Sequence, residues 1–223
     1  MLTIKCVLIE KVPGVVHGFG TAQEPVPASL KDAWESRRPK HKQVHRCDFV
    51  DVKVEGQECG DVDSLFTSRA GLPVGVMTAD CVPVLMANKL GTCIAAIHAG
   101  WRGTRAHILR KLWVELQARG ENPRDWVAAI GPSIGPCCYE VSEELAGDFL
   151  EEFKYLDSTG KLAVPSPRRL DLQNINAAEL RMIGLKEVDV LRFCTKCSIN
   201  PLFHSYRREG SGTRQWSIIS RTA

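Results

Sequence analysis

The sequence predicts an α+β fold built on a mixed or antiparallel sheet. Short Val-, Ile- and Leu-rich runs recur at 2–9, 74–78, 92–98, 126–131, 188–193 and 216–219, with the length and composition of strands. Three other stretches repeat apolar residues at helical spacing. The two kinds do not alternate regularly, which argues against a doubly wound parallel sheet.

Taken in order, the first run, Leu2 to Ile9, is interrupted by Lys5 and followed by Glu10, so it reads as a strand and is too charged for a signal peptide. Residues 20–43 carry Pro25, Pro27, Pro39 and many charges without periodicity, and read as a mobile flap or, more simply, a surface connection. The strand at 74–78 leads into Thr78-Ala79-Asp80-Cys81, and Pro83 limits the backbone just beyond the cysteine. The strand at 92–98 leads into His98-Ala99-Gly100-Trp101-Arg102-Gly103. From Thr104, read as an N-cap, Ile108, Leu109, Leu112, Trp113 and Leu116 form one helical face, and Gly120 stops it. The strand at 126–131 precedes two Gly-Pro pairs, Gly131-Pro132 and Gly135-Pro136, a rigid loop suited to walling a pocket or to a plain double turn. Helices are predicted from Ser142, through Leu145, Phe149 and Phe153, and from Asp171, through Leu172, Ile175 and Met182 to Gly184. Residues 156–170, with Gly160, Pro165 and Pro167, read as a connection.

The bulk numbers narrow the function. A chain of 223 residues suffices for a single domain spanning 1–223. With 44% hydrophobic and 25% charged residues it is an ordinary globular composition. The net charge of +3 is spread along the chain, so a small anion is a better partner than nucleic acid. No run approaches the roughly 20 apolar residues of a membrane span. Nine cysteines, an odd count without a secretory signal, suggest free thiols and a cytoplasmic protein.

Cys81 and His98 each end a predicted strand, and sequential strands often neighbour each other. A thiol and an imidazole in reach serve as nucleophile and base, or as two ligands of zinc. On spacing alone, a buried thiol and a hydrogen-bonded strand-end histidine are equally good readings. Gly100 and Gly103 around Arg102 suit anion contact before a helix, or a simple turn. Arg207 and Arg208 near Tyr206 read as anion contacts or surface charges. Cys194 and Cys197 form a Cys-X-X-Cys with no second such pair, which disfavours a four-cysteine zinc site. The adjacent Cys137 and Cys138 would bridge each other only with strain.

Together these segments resemble the YfiH/laccase-domain family. The matching pieces are HGF at 17–19, QVH at 43–45, TADCVPVLM at 78–86, HAGWRGT at 98–104, AAIGPSIGPCCYEV at 128–141, CTKC at 194–197 and the LFHSYRREG after it. The first motif departs from the family pattern after Phe19, where Gly20-Thr21-Ala22-Gln23-Glu24 stand. The resemblance implies a four-layer α/β/β/α sandwich with mixed sheets. It implies a zinc ion held by His45, Cys81 and His98, with phosphorolysis of adenosine, inosine, guanosine and methylthioadenosine and deamination of adenosine. In that frame Arg102 is a candidate phosphate ligand and Asp80 a candidate acid/base. His17 and Tyr206 are candidates either for the substrate wall or for supporting the residues that form it, and a monomer is favoured. The rivals are a metal-free cysteine hydrolase or amidase using Cys81 and His98, with cell-wall precursor editing as a variant, and a copper-dependent polyphenol oxidase. Six histidines are few for a multicopper set.

Overall fold

The computed structural model describes residues 3–199, 202–210 and 212–222. In chain order the elements are α1 (Val7–Glu10), β1 (Val15–Phe19), α2 (Lys31–Arg37), β2 (Lys40–Lys42), β3 (Phe49–Asp51), β4 (Glu58–Asp61), β5 (Ser64–Thr67), β6 (Pro73–Thr78), β7 (Val82–Asn88) and β8 (Ile94–Ala99). They continue with α3 (Trp101–Arg105), α4 (Ile108–Ala118), β9 (Trp126–Ile130), α5 (Glu143–Phe153), α6 (Leu172–Ile183), β10 (Glu187–Val190), α7 (Tyr206–Glu209) and β11 (Gln215–Arg221). Among the described residues no helix is long and apolar enough to cross a membrane.

The larger sheet has six strands in the order β10-β9-β7-β8-β5-β3 and is mixed. Its outer pairs, β10 with β9 and β3 with β5, are parallel, while the inner pairs are antiparallel. A smaller sheet runs β1-β11-β6 and is antiparallel throughout, and β2 and β4 form a separate parallel pair.

Both faces of the larger sheet are covered, which explains why β7 and β8 are continuous apolar runs rather than alternating ones. Val84, Met86, Ala95 and Ile97 point into a core closed by Leu109, Leu112 and Trp113 of α4, Phe149 of α5, and Ile175 and Leu180 of α6. Leu85, Ala87, Ile94 and Ala96, their neighbours in sequence, meet Val74, Val76 and Ile219 of the smaller sheet. Ile218 packs with Leu30 and Trp34 in a third cluster, and Trp34 lies 4.8 Å from the Trp216 ring.

Several local predictions are met by specific hydrogen bonds. Ser142 Oγ accepts from Leu145 N at 3.2 Å and caps α5. Asp171 Oδ1 accepts from Asn174 N at 2.9 Å and caps α6, which Gly184 ends with φ 121°.

Other expectations are corrected. The first run is not a strand: Ile4 alone bridges Phe19, and residues 7–10 turn into α1 so that Cys6 and Ile9 are both buried. Thr104 does not start the long helix; it lies inside α3, and His107, with φ 56°, separates α3 from α4. Residues 20–43 are more than a surface connection, because α2 inserts Trp34 at 1% exposure. Pro83 is accommodated as the second residue of β7, before the ladder with β9 begins at Val84 and Ile130.

Candidate metal centre and its cavity

Three segments meet where β6 ends, β7 begins and β8 ends. The expected pairing of consecutive strands takes a different form: β6 and β8 lie in different sheets, and β7 brings Cys81 to His98. Val82 and Pro83 of β7 stand opposite Ala99 and His98 of β8, so Cys81, one residue earlier, arrives beside the imidazole.

His45 is delivered by a loop clipped at two points. The Gln43 amide pairs with the backbone of Met77, donating to its carbonyl at 2.8 Å and accepting from its N–H at 2.7 Å. The buried Asp63 carboxylate then accepts the backbone N–H groups of Val44, His45 and Arg46 at 3.2, 3.0 and 2.8 Å. These bonds hold His45 at φ 60°, a conformation that costs a non-glycine residue about 1 kcal/mol or more.

Asp63 does a second job. Its Oδ1 lies 2.7 Å from His98 Nδ1, and its carbonyl accepts His98 N–H at 2.8 Å. A carboxylate on Nδ1 fixes the imidazole tautomer and leaves Nε2 for the site. The ligand atoms of His45, Cys81 and His98 all lie within 4.8 Å of one another. Gly100 leaves them room: a Cβ there would sit 3.2 Å from Cys81 Sγ and 3.3 Å from His45 Cδ2.

The electrostatics arise from this packing. Burial alone would push the Cys81 thiol up, but the charge of His98 and hydrogen bonds from both imidazoles bring it down to about 6. Burial alone would lower His98; the Cys81 thiolate and Asp63 raise it to about 9. For Asp63 burial again opposes charge, and His98 with the backbone N–H groups holds it below its ordinary value. A thiolate beside two imidazoles and one fixed carboxylate is a donor set for a soft or borderline divalent cation.

This cluster opens into a cavity of about 580 Å³, within the range of about 300–1,000 Å³ typical of small-molecule sites. Met77, Trp101, Ile134 and Tyr139 give it apolar and aromatic wall, while Tyr206, Arg207 and Arg214 give it a polar and cationic one. Burial, with the nearby Cys81 charge, pushes the Tyr139 hydroxyl up to about 12. The exposed Arg102 guanidinium lies 4.3 Å from the ring centroid of Trp101, behind the lining.

Asp80 lines the cavity with φ 91°, and both its oxygens are engaged. Thr195 Oγ1 donates to Oδ1 at 2.5 Å and Arg207 N–H donates to Oδ2 at 2.7 Å, so this carboxylate braces two loops. Tyr206 lines the cavity. His17 does not. It is buried in β1 at 1% exposure, its Nε2 accepts the Cys6 N–H at 2.8 Å, and burial lowers its pKa to about 4. The reading of His17 as a substrate wall is therefore corrected, because α1 folds over it. Asp63 and Arg214 were not legible as site residues, and Trp101 and Tyr139 only as members of candidate loops. Asp63 stands in no motif, and its role arises only from the placement of β5 beside β8.

Comparisons with known proteins find relatives along most of this chain. The family described as multi-copper polyphenol oxidoreductase laccase matches residues 28–222. Purine nucleoside phosphorylase YfiH of Escherichia coli (strain K12) is 32% identical over 181 residues, covering 80% of this chain and 71% of that protein. A purine nucleoside phosphorylase of Clostridium acetobutylicum is 33% identical over 180 residues, covering 80% and 74%. Adenosine deaminase RL5, from an unknown prokaryotic organism, is 31% identical over 192 residues, covering 81% and 73%. The crystal structure of YlmD from Geobacillus stearothermophilus superimposes with a TM-score of 0.79 at 26% identity, covering 96% of this chain and 94% of that one. With a family match across most of its length and several relatives above 30% identity, this chain belongs to the multi-copper polyphenol oxidoreductase laccase family, the family of the YfiH proteins.

Proposed function

We propose that this chain is a zinc-dependent purine nucleoside phosphorylase that also deaminates adenosine. The observation that carries the reading is the meeting of His45, Cys81 and His98 at one end of a cavity with aromatic and cationic walls. Relatives named for phosphorolysis and for adenosine deamination support the same pairing of activities. In this reading the scaffold is the four-layer α/β/β/α sandwich, and the protein acts as a monomer on a purine nucleoside and phosphate.

Three protein ligands suit a catalytic rather than a structural zinc, which supplies Lewis-acid polarisation at its open position. The chain's own residues do the rest. Asp63 holds the His98 tautomer and, through three backbone N–H groups, the His45 loop. Trp101 and Tyr139 are the aromatic lining against which the purine would pack. Arg207 and Arg214 in the lining, with Arg102 behind Trp101, supply the positive field that phosphate needs to approach the ribose anomeric carbon. Asp80 is a positioning residue for the Arg207 backbone.

Copper is the alternative metal that one observation favours. A His2Cys set with an axial methionine is a copper arrangement, and Met77 lines this cavity. A multicopper set has no further support, since among the described residues the other His/Cys/carboxylate cluster contains no histidine. The metal-free hydrolase draws on the thiolate–imidazolium pair alone and leaves the converging His45 without a purpose.

The test is to incubate the purified, zinc-loaded protein with adenosine, with and without phosphate, and to separate the products. The expected result is adenine and ribose-1-phosphate only with phosphate, inosine in either case, and loss of both on chelation with recovery on adding zinc. Absence of nucleoside turnover by the loaded protein would overturn the reading, and full activity after chelation would move it to the hydrolase.

A further inference from the structure

A second group of metal-ligating side chains lies outside the cavity lining. The thiols of Cys137, Cys138, Cys194 and Cys197 all lie within 4.8 Å of one another. They sit on two turns far apart in sequence. Cys137 and Cys138 come directly after Gly135-Pro136 in a turn closed by Cys138 N–H and Tyr139 N–H, both donating to the Gly135 carbonyl at 2.9 Å. Cys194 and Cys197 bracket a turn in which Ser198 N–H donates to the Cys194 carbonyl at 3.1 Å. The turns are laced together by Ser133 N–H to the Phe193 carbonyl at 3.3 Å and Thr195 N–H to the Ser133 carbonyl at 3.0 Å. The sequence-based expectation disfavoured a four-cysteine site for want of a second Cys-X-X-Cys; the adjacent pair brings the other two sulfurs to this cluster.

We propose that these four cysteines form a second metal site, a tetrathiolate centre for zinc that is structural and separate from the cavity. The spacing fits. With a Zn–S bond of about 2.3 Å, tetrahedral geometry sets the sulfurs about 3.8 Å apart. The Cys137 and Cys197 sulfurs are already 3.6 Å apart. A disulfide needs its two sulfurs at about 2.05 Å, much closer than these, and all four cysteines are free thiols. Four sulfurs drawn together from two rigid turns are the arrangement of a closed site. Gly135 N–H donates to Cys194 Sγ at 3.3 Å, the kind of outer hydrogen bond that orients a ligating thiolate. Cys137 and Cys197 are exposed, so an ion can enter and a chelator can reach it.

The centre would brace the catalytic cavity. One turn carries the wall residues Ile134 and Tyr139 on either side of the cysteine pair. The other carries Thr195, whose hydroxyl holds Asp80, and its Thr195 and Lys196 carbonyls accept from Arg208 Nη1 at 2.9 Å each. Zinc there ties the two turns into one wall.

The experiment counts metal in chains purified and reduced, then equilibrated with zinc chloride and desalted. Wild type is expected to hold two zinc ions per chain, and Cys81→Ser one. The double variant Cys137→Ser/Cys197→Ser is expected to lose that second ion. Cobalt added to apo Cys81→Ser is expected to give intense thiolate-to-cobalt charge transfer with tetrahedral ligand-field bands. Because this measurement uses a chain lacking the cavity thiolate, it stands whether or not the double variant folds. If Cys81→Ser binds no zinc and shows no such spectrum while its remaining thiols titrate freely, the tetrathiolate centre is refuted. If wild type holds one ion and Cys81→Ser still holds one, the cavity reading fails and this one stands.

Discussion

Replacing Asp63 by asparagine should weaken metal binding and destabilise the fold together. The carboxylate is fully buried and serves four donors: His45 N–H and His98 Nδ1 on one oxygen, Val44 N–H and Arg46 N–H on the other. An amide keeps one acceptor and presents a donor where the second stood. If its oxygen faces His98, two backbone N–H groups are left facing an NH2; if it faces them, His98 loses the partner that fixes its tautomer. Two charge-assisted bonds are lost either way, at about 1.5–3 kcal/mol each. Removing one side of a buried ionic arrangement costs about 3–5 kcal/mol by an independent route. At about 2–4 °C per kcal/mol for a chain of this size, Asp63→Asn should melt about 6–20 °C lower. Loss of an outer partner of a histidine ligand should reduce zinc affinity about 10–100-fold. Differential scanning calorimetry and competition with a chromophoric chelator read the two effects separately. A zinc affinity within twofold of wild type would refute the reasoning, since Asp63 would then be only a loop staple.

Three other outcomes rest on particular contacts. Gly100→Ala places a methyl against Cys81 Sγ and His45 Cδ2 without backbone strain, so zinc affinity in the same competition assay should fall about tenfold with little change in melting of the apo protein. Arg207→Ala removes one cationic wall and should raise the phosphate KM about tenfold or more while bound zinc stays constant, the loss expected for a charge-assisted contact. His17 is buried neutral with its pKa lowered to about 4 from 6.5, so the unfolded state binds the extra proton between those values. Its contribution is complete above pH 6.5 and is lost as pH falls toward 4, about 3 kcal/mol in all at 1.36 kcal/mol per unit. Urea unfolding of His17→Gln should show a correspondingly flatter acid limb.

What could be read from the chain and what could not divides along the reach of the interactions. The caps at Ser142 and Asp171 and the stop at Gly184 depend on residues within one turn, and they were legible. The β7 and β8 segment was rich in apolar residues because both sheet faces are covered, yet Pro83 concealed the strand that joins Cys81 to His98. Helix α2 was not legible because Trp34 is held by Trp216, near the other end of the chain. The first run read as a strand by composition, but burial of Cys6 and Ile9 together, three residues apart, selects a helical turn. At the site, Cys81 and His98 stood out as reactive strand ends, and His45 was named only through family likeness. Asp63 and the joining of the two cysteine pairs depend on which strands and turns become neighbours, which no local pattern encodes.

The account rests on one ion held among Cys81, His45 and His98, and anomalous diffraction from crystals of the zinc-equilibrated protein tests it most directly. The predicted result is a peak at the zinc edge about 2.3 Å from Cys81 Sγ and about 2.0–2.1 Å from a nitrogen of each imidazole. Crystals in which those three side chains enclose no anomalous peak, with zinc present in the medium, would contradict it.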